Sequence, residues 1–270
     1  MKRLVVLLGV LLVAAYADTL DYTRWTVRMT TVEQSVPNTD ETSLDLTSRG
    51  LNVLHYAYFD DMQTVTDYLF ANPKVSRKMD RLHLQAAQSG TRYLSDGTVA
   101  VDYDLPLIGS VFQTLMPRTG GGIPVGPMAC PTCGQPWPEG REVPPGISLV
   151  PLEESDATNF TGVLIDARGV DFNYALFPRI VNEDGRTVYG PEFFLPTYAA
   201  DRGSVGYYDN LAGAMADDRV GFNPVRADAI RSAGKNNTDL VISNLDARKL
   251  HSSLENLKLL ERCRVVILTD

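Results

Sequence analysis

The sequence predicts an α+β protein: two small sheet-and-helix regions joined by an irregular segment rich in proline and glycine. Three observations carry that expectation. Nine of the sixteen prolines and seven of the 21 glycines fall within residues 117–151, where missing amide donors and backbone freedom disfavour any regular element. A hairpin pattern closes the region before that seam. A strand–helix–strand pattern closes the region after it. The expected boundaries are a leader over 1–17, a first region over 18–116, a linker or loop over 117–151 and a second region over 152–270.

In the first region Leu51, Leu54, Tyr58, Val65, Tyr68 and Leu69 keep helical spacing between about 44 and 71, and Pro73 stops the pattern. Residues 76–90 fit both periods. Met79, Leu82, His83 and Ala86 suit a helix, whereas Leu82, Leu84 and Ala86 suit a strand. The hairpin is clearer. Asp96-Gly97 supplies a turn pair that tolerates positive φ, with Thr91–Leu94 before it. After it, Val99, Val101, Tyr103 and Leu105 alternate with polar residues.

The second region opens with a strand at Val163–Ile165. Asp184-Gly185 marks a hairpin between Leu176–Val181 and Arg186–Tyr189. Small residues over 199–216 suggest a short helix. Leu240–Ile242 reads as a strand. A helix carrying Ala247, Leu250, Leu254 and Leu257 on one face follows it, with Ser243 and Asp246 spaced as a cap. The apolar run Val265–Leu268 reads as a central strand, and the three elements together suit a parallel crossover.

Net charge is −8 over 270 residues, and 44% of them are hydrophobic. That balance argues against disorder. It also argues against nucleic acid as a partner, because phosphate affinity needs Lys and Arg to displace counterions. The N-terminus carries an address. Lys2-Arg3 precedes an apolar run over Leu4–Ala15, and Ala15-Tyr16-Ala17 is a small-x-small cleavage pattern. The run falls short of the ~20 apolar residues that span a bilayer. Cleavage before Asp18 leaves 23 basic and 33 acidic residues, a net of −10. No Cys lies near that point to take a lipid, so no direct membrane span or anchor is expected after cleavage. The layout looks bacterial, which puts the mature chain in the periplasm or at the outer membrane.

Candidate chemistry is sparse. The cysteines are Cys130, Cys133 and Cys263. Cys130-Pro131-Thr132-Cys133-Gly134 can form one knuckle of a zinc ribbon, but a structural zinc site takes four ligands and no second knuckle is present. A redox motif needs its thiolate at a helix N-terminus, and here prolines surround the pair. A local disulfide between Cys130 and Cys133 is the reading expected in an oxidising compartment. Cys263 reads as a core thiol. His55, His83 and His251 are scattered, with His251 expected on the exposed side of the last helix. No nucleophile elbow, phosphate loop or calcium loop is present. The pairs Asp60-Asp61, Glu153-Glu154 and Asp217-Asp218 read as solvated surface, and Asp166 with Arg168 as a buried ion pair. No catalytic, cofactor-binding or metal-binding residue is therefore assigned, and no cofactor is expected.

Two stretches resemble known modules. Arg92-Tyr93-Leu94-Ser95-Asp96-Gly97-Thr98-Val99, followed by Leu105-Pro106-Leu107, resembles the LPP-twenty type of bacterial envelope lipoproteins over about 44–116. That family includes proteins of outer-membrane flagellar rings. Thr161–Gly169, Glu183–Gly190, Asp239–Asn244 and Cys263–Leu268 resemble a module of bacterial secreted proteins of unknown role. The resemblance implies a non-enzymatic envelope protein acting through structural or assembly contacts, with protein partners or further copies of itself, in a flagellar or outer-membrane-ring setting. It transfers no catalytic residue. The alternative is a periplasmic binding, metal or thiol module that uses Cys130 and Cys133.

Overall fold

A computed structural model of the chain describes residues 18–33, 43–117, 121–138, 140–152 and 160–270. The leader falls outside the described residues. The fold is mixed α and β, with a four-stranded antiparallel sheet, a seven-stranded mixed sheet and a two-stranded ribbon.

The first sheet begins with β1 (Thr19–Asp21) and β2 (Thr26–Glu33). Three helices follow: α1 (Ser43–Tyr56), α2 (Val65–Ala71) and α3 (Pro73–Met79). Then come β3 (Ala87–Tyr93), β4 (Val99–Pro106) and α4 (Ser110–Leu115). The spatial order is β1-β2-β4-β3. The predicted alternation holds in β4. Val99, Val101, Tyr103 and Leu105 are buried, while Asp102 and Asp104 pair with Arg92 and Arg28 on the wet face.

The single helical run expected over 44–71 is two helices. The chain leaves α1 at Tyr56 because residues 58–59 are needed elsewhere: their carbonyls accept from Leu176 N and Phe177 N at 2.9 Å. A reciprocal Thr64–Asp67 cap then starts α2. Pro73 ends α2 as expected and also opens α3, where its missing N–H would have had no partner.

The seam carries β5 (Met128–Ala129) and β6 (Val150–Pro151) as a short ribbon. The second sheet contains β7 (Val163–Asp166), β8 (Ile180–Asn182) and β9 (Thr187–Tyr189). After these come α5 (Pro196–Arg202), β10 (Gly206–Tyr208) and α6 (Leu211–Ala216), where one short helix was expected. The chain closes with β11 (Val225–Ala233), β12 (Asp239–Ile242), α7 (Asn244–Leu250), α8 (Leu254–Glu261) and β13 (Val265–Leu268).

The order is β10-β13-β7-β11-β12-β8-β9. Strands β10, β13, β7 and β11 run parallel, and β12 runs against β11. The expected parallel crossover from β12 to β13 is therefore corrected. The two helices α7 and α8 return the chain to the same end of the sheet at which β12 finishes, so β13 runs opposite to β12. Both β12 and β13 are buried along their whole length. Val265 and Ile267 face the main core, while Val266 and Leu268 face a second cluster with Ala214 of α6.

Both regions share one hydrophobic cluster. It runs from Trp25, Met29, Leu54 and Phe59 to Phe177, Tyr189, Tyr207 and Ile267. A buried carboxylate also joins them. Asp61 accepts from Lys235 N at 2.7 Å and from Asn236 N at 3.0 Å, while the Asn236 side chain donates to its carbonyl.

Candidate functional site

Among the described residues, no three His, Cys, Asp or Glu side chains converge as metal ligands. His83 is exposed in the loop between α3 and β3, and His55 is half-buried in α1. His251, expected on an exposed face, is instead buried just past α7. The break between α7 and α8 turns its ring inward. Nδ1 accepts from Val125 N at 2.6 Å, so the other nitrogen carries the proton and meets the Val188 carbonyl at 2.8 Å. Burial lowers its pKa to about 4. His251 thus clamps the seam to the second sheet as a neutral ring.

The acidic pairs divide differently from expectation. Glu153-Glu154 lies outside the described residues. Asp61 and Asp217 are not solvated. Asp61 holds the backbone of 235–236, and Asp217 pairs with Arg219 at 2.9 Å with both side chains buried. Burial works against the Asp217 charge, but Arg219 and its backbone N–H keep the carboxyl below its ordinary range. The pair expected to be buried, Asp166 with Arg168, forms at 2.6 Å but stands partly in water. A third enclosed acid, Asp239, was not anticipated. Burial raises Asp239, and Arg179 at 2.6 Å pulls it back. The Asp-x-Arg spacing occurs at both 166–168 and 217–219, so local sequence could not tell which pair would be enclosed. Arg179 and Asp239 share no local signal at all.

The remaining candidate is the turn that carries Cys130 and Cys133. It projects from the β5–β6 ribbon. Trp137 N donates to Met128 O at 2.6 Å and Leu152 N to Pro127 O at 3.0 Å, which closes the base. At the tip, Cys130 N donates to Gln135 O at 2.9 Å and Gly134 N to Cys130 O at 2.8 Å. Gly134 has φ +69, so a residue without Cβ is needed to fold the chain back there. Cys130 is half-buried and Cys133 exposed, and both are free thiols. The backbone N–H groups of Cys133 and Thr132, with the Cys133 thiol, point at the Cys130 sulfur and lower its pKa. The Arg141 guanidinium lies 5.2 Å from the Trp137 ring centre and stiffens the other arm of the loop. Cys263 is buried, and burial raises its thiol to about 12, which makes it inert.

An open groove of about 710 Å³ lies beside the seam, between Pro124, Phe193, Leu195, Leu257, Glu192 and Glu261. Among the described residues it brings together no nucleophile with a base.

The fold and these sites define a mixed α and β protein whose buried ionisable groups are engaged in structure and whose Cys130 and Cys133 stand on an outlying turn. Residues 162–270 match the family model described as Treponema pallidum Tp0624, second domain. No curated protein matches the chain. The second region is thus similar to a domain of a bacterial protein. The match corrects the family reading, since residues 44–116 show no LPP-twenty relationship. The physical reason is plain. The stretch that suggested that family is the β3–β4 hairpin, and an Asp-Gly turn between alternating strands arises in unrelated sheets. The flagellar expectation had no other support.

Proposed function

We propose that the chain is an exported bacterial envelope protein that works through contacts with other proteins and turns over no substrate. The observation that carries this reading is strand β3. It is the outermost strand of its sheet among the described strands. It pairs only with β4, and every residue but Gly90 is exposed. Its outer row of N–H and C=O groups is a template for a strand from a partner or from a second copy. Tyr93, 79% exposed at its end, supplies an anchor of the kind that dominates interfaces. The basic-apolar-small leader supports export, and the bacterial domain match agrees with a bacterial setting.

The test is fractionation of the native host together with cross-linking in intact cells. The expected result is a chain starting at Asp18 outside the inner membrane, in cross-linked species that weaken when Tyr93→Lys places a charge on the edge. A cytosolic chain still starting at Met1, or one that cross-links to nothing, overturns the reading.

A further inference from the structure

We propose that the pocket between the β1–β2 turn and the end of β10 binds a small organic cation of the alkylated or quaternary ammonium class. Strands β1 and β3 form opposite edges of the first sheet, so this site is separate from the β3 edge and goes beyond the proposed function.

The pocket has a volume of about 280 Å³, and its lining includes Asp21, Tyr22, Tyr174, Tyr207, Tyr208 and Asp209. That size suits a small headgroup and lies below the range of drug-sized ligands. The aromatic side is built from both regions. Tyr22 stacks on Tyr174 with ring centres 5.1 Å apart. Tyr207 meets both edge-on, at 5.8 Å from Tyr22 and 4.9 Å from Tyr174. Three of the four hydroxyls are engaged elsewhere. Tyr174 bonds to Thr269 Oγ1 at 2.8 Å, Tyr207 donates to Ala175 O at 3.1 Å and Tyr208 to Asp217 at 3.0 Å. These bonds hold the rings in place before any ligand arrives.

Two carboxylates supply the charge. Asp21 Oδ1 accepts from Thr23 N at 3.0 Å and from Arg24 N at 3.1 Å, and Asp209 Oδ1 accepts from Asn210 Nδ2 at 2.8 Å. Among the described residues, neither acid forms an ion pair, and Oδ2 of each accepts no hydrogen bond. Arg28 lies near enough to feel Asp21, but it is held by Asp104 at 3.0 Å. No basic side chain lines the pocket. Turn capping accounts for Asp21 Oδ1, but not for a second acid brought to the same pocket by the other sheet. Tyrosine rings and unpaired carboxylates both attract a cation. An anion would meet two like charges, and a neutral ligand would leave both acids unpaired. An alkylated nitrogen needs few acceptors of its own, which matches a wall whose hydroxyls are mostly taken.

The experiment uses the full mature chain with choline as the probe and 3,3-dimethylbutan-1-ol as its uncharged isostere. Binding is read at low ionic strength by nuclear magnetic resonance, from amide shifts and from saturation transfer to the probe's methyl groups. The expected result is saturable choline binding with shifts centred on residues 20–23, 174 and 207–209. The uncharged isostere should bind at least about tenfold more weakly. Asp21→Asn and Asp209→Asn should each weaken choline binding, and the two together should abolish it. Asn at position 21 can still cap the turn, and Asp209 is exposed, so both variants should fold. Tyr174→Phe keeps the ring and should bind as the parent does, whereas Tyr174→Leu should lose most of the affinity. If Tyr174→Leu fails to fold, the two aspartate variants decide. No saturable shift, shifts centred elsewhere, equal binding of the isostere, or unchanged affinity in the doubly substituted chain overturns the inference. Each of these leaves the proposed function standing, because that reading is tested by Tyr93→Lys, which should bind choline as the parent does.

Discussion

The indole N–H of Trp25 donates to the carbonyl of Val205 at 3.0 Å across 180 residues of sequence. The ring is 1% exposed, and the Phe112 ring meets it edge-on at 4.9 Å. Gly203 packs so closely that a Cβ there would sit 2.2 Å from the indole nitrogen. The first region therefore contributes the side chain, and the second contributes much of its pocket.

Trp25→Ala should cost about 3–5 kcal/mol, because a large buried ring is lost and its cavity cannot collapse fully. The loss should lower both sheets together. Urea unfolding followed by far-ultraviolet circular dichroism and by hydrogen exchange in the two regions checks this. Separate transitions for the two regions would contradict it. Trp137→Phe supplies a background in which Trp25 is the sole tryptophan reporter.

His251 predicts acid sensitivity of a definite sign. Its folded pKa of about 4 lies below the ordinary 6.5, because burial disfavours the cation. Protons then bind the unfolded chain more readily. The stability due to the neutral ring is complete above pH 6.5, declines as pH falls, and is gone once pH passes about 4. The total is about 3 kcal/mol. His251→Gln can keep an acceptor for Val125 N and a donor for Val188 O. It should flatten that part of the profile, as measured by denaturant midpoints between pH 7 and 4.

The Asp217–Arg219 pair predicts an asymmetry. Asp217→Asn leaves a buried guanidinium without its counter-charge and should cost about 3–5 kcal/mol. Replacing both residues with apolar side chains of similar size should recover most of that loss. A double-mutant cycle on melting temperature measures the difference. Additive losses would show that the pair is not coupled.

Asp61 predicts a local effect within the shared core. Asp61→Ala removes the acceptor for two backbone N–H groups and should destabilise by about 2–3 kcal/mol. Amide exchange of Lys235 and Asn236 should accelerate more than that of β13.

How much of this was legible depends on side-chain contrast. The hairpins at Asp96-Gly97 and Asp184-Gly185, and the apolar β13, announced themselves through turn chemistry and strong alternation. Strand β11 did not. Val225-Arg226-Ala227-Asp228-Ala229 alternates, but its inward residues are mostly alanine, which gives a weak hydrophobic signal and poor strand propensity. The break at 57–64 was hidden because Tyr58 fits a helical period by chance while its backbone is recruited by Ala175–Phe177. The thiol turn was visible as a motif. The amide groups aimed at its sulfur were not, since they depend on backbone conformation. The roles of His251 and Asp217 depend on partners that only tertiary folding supplies.

Strand β13 comes last in sequence among the described strands, yet it lies between β10 and β7. Until it arrives, β7 and β10 have no neighbour along those edges. The sheet therefore cannot mature progressively from the N-terminus during synthesis. The interior of the sheet assembles only after β13 is available. Deleting Val265–Leu268 should then abolish folding of the whole sheet.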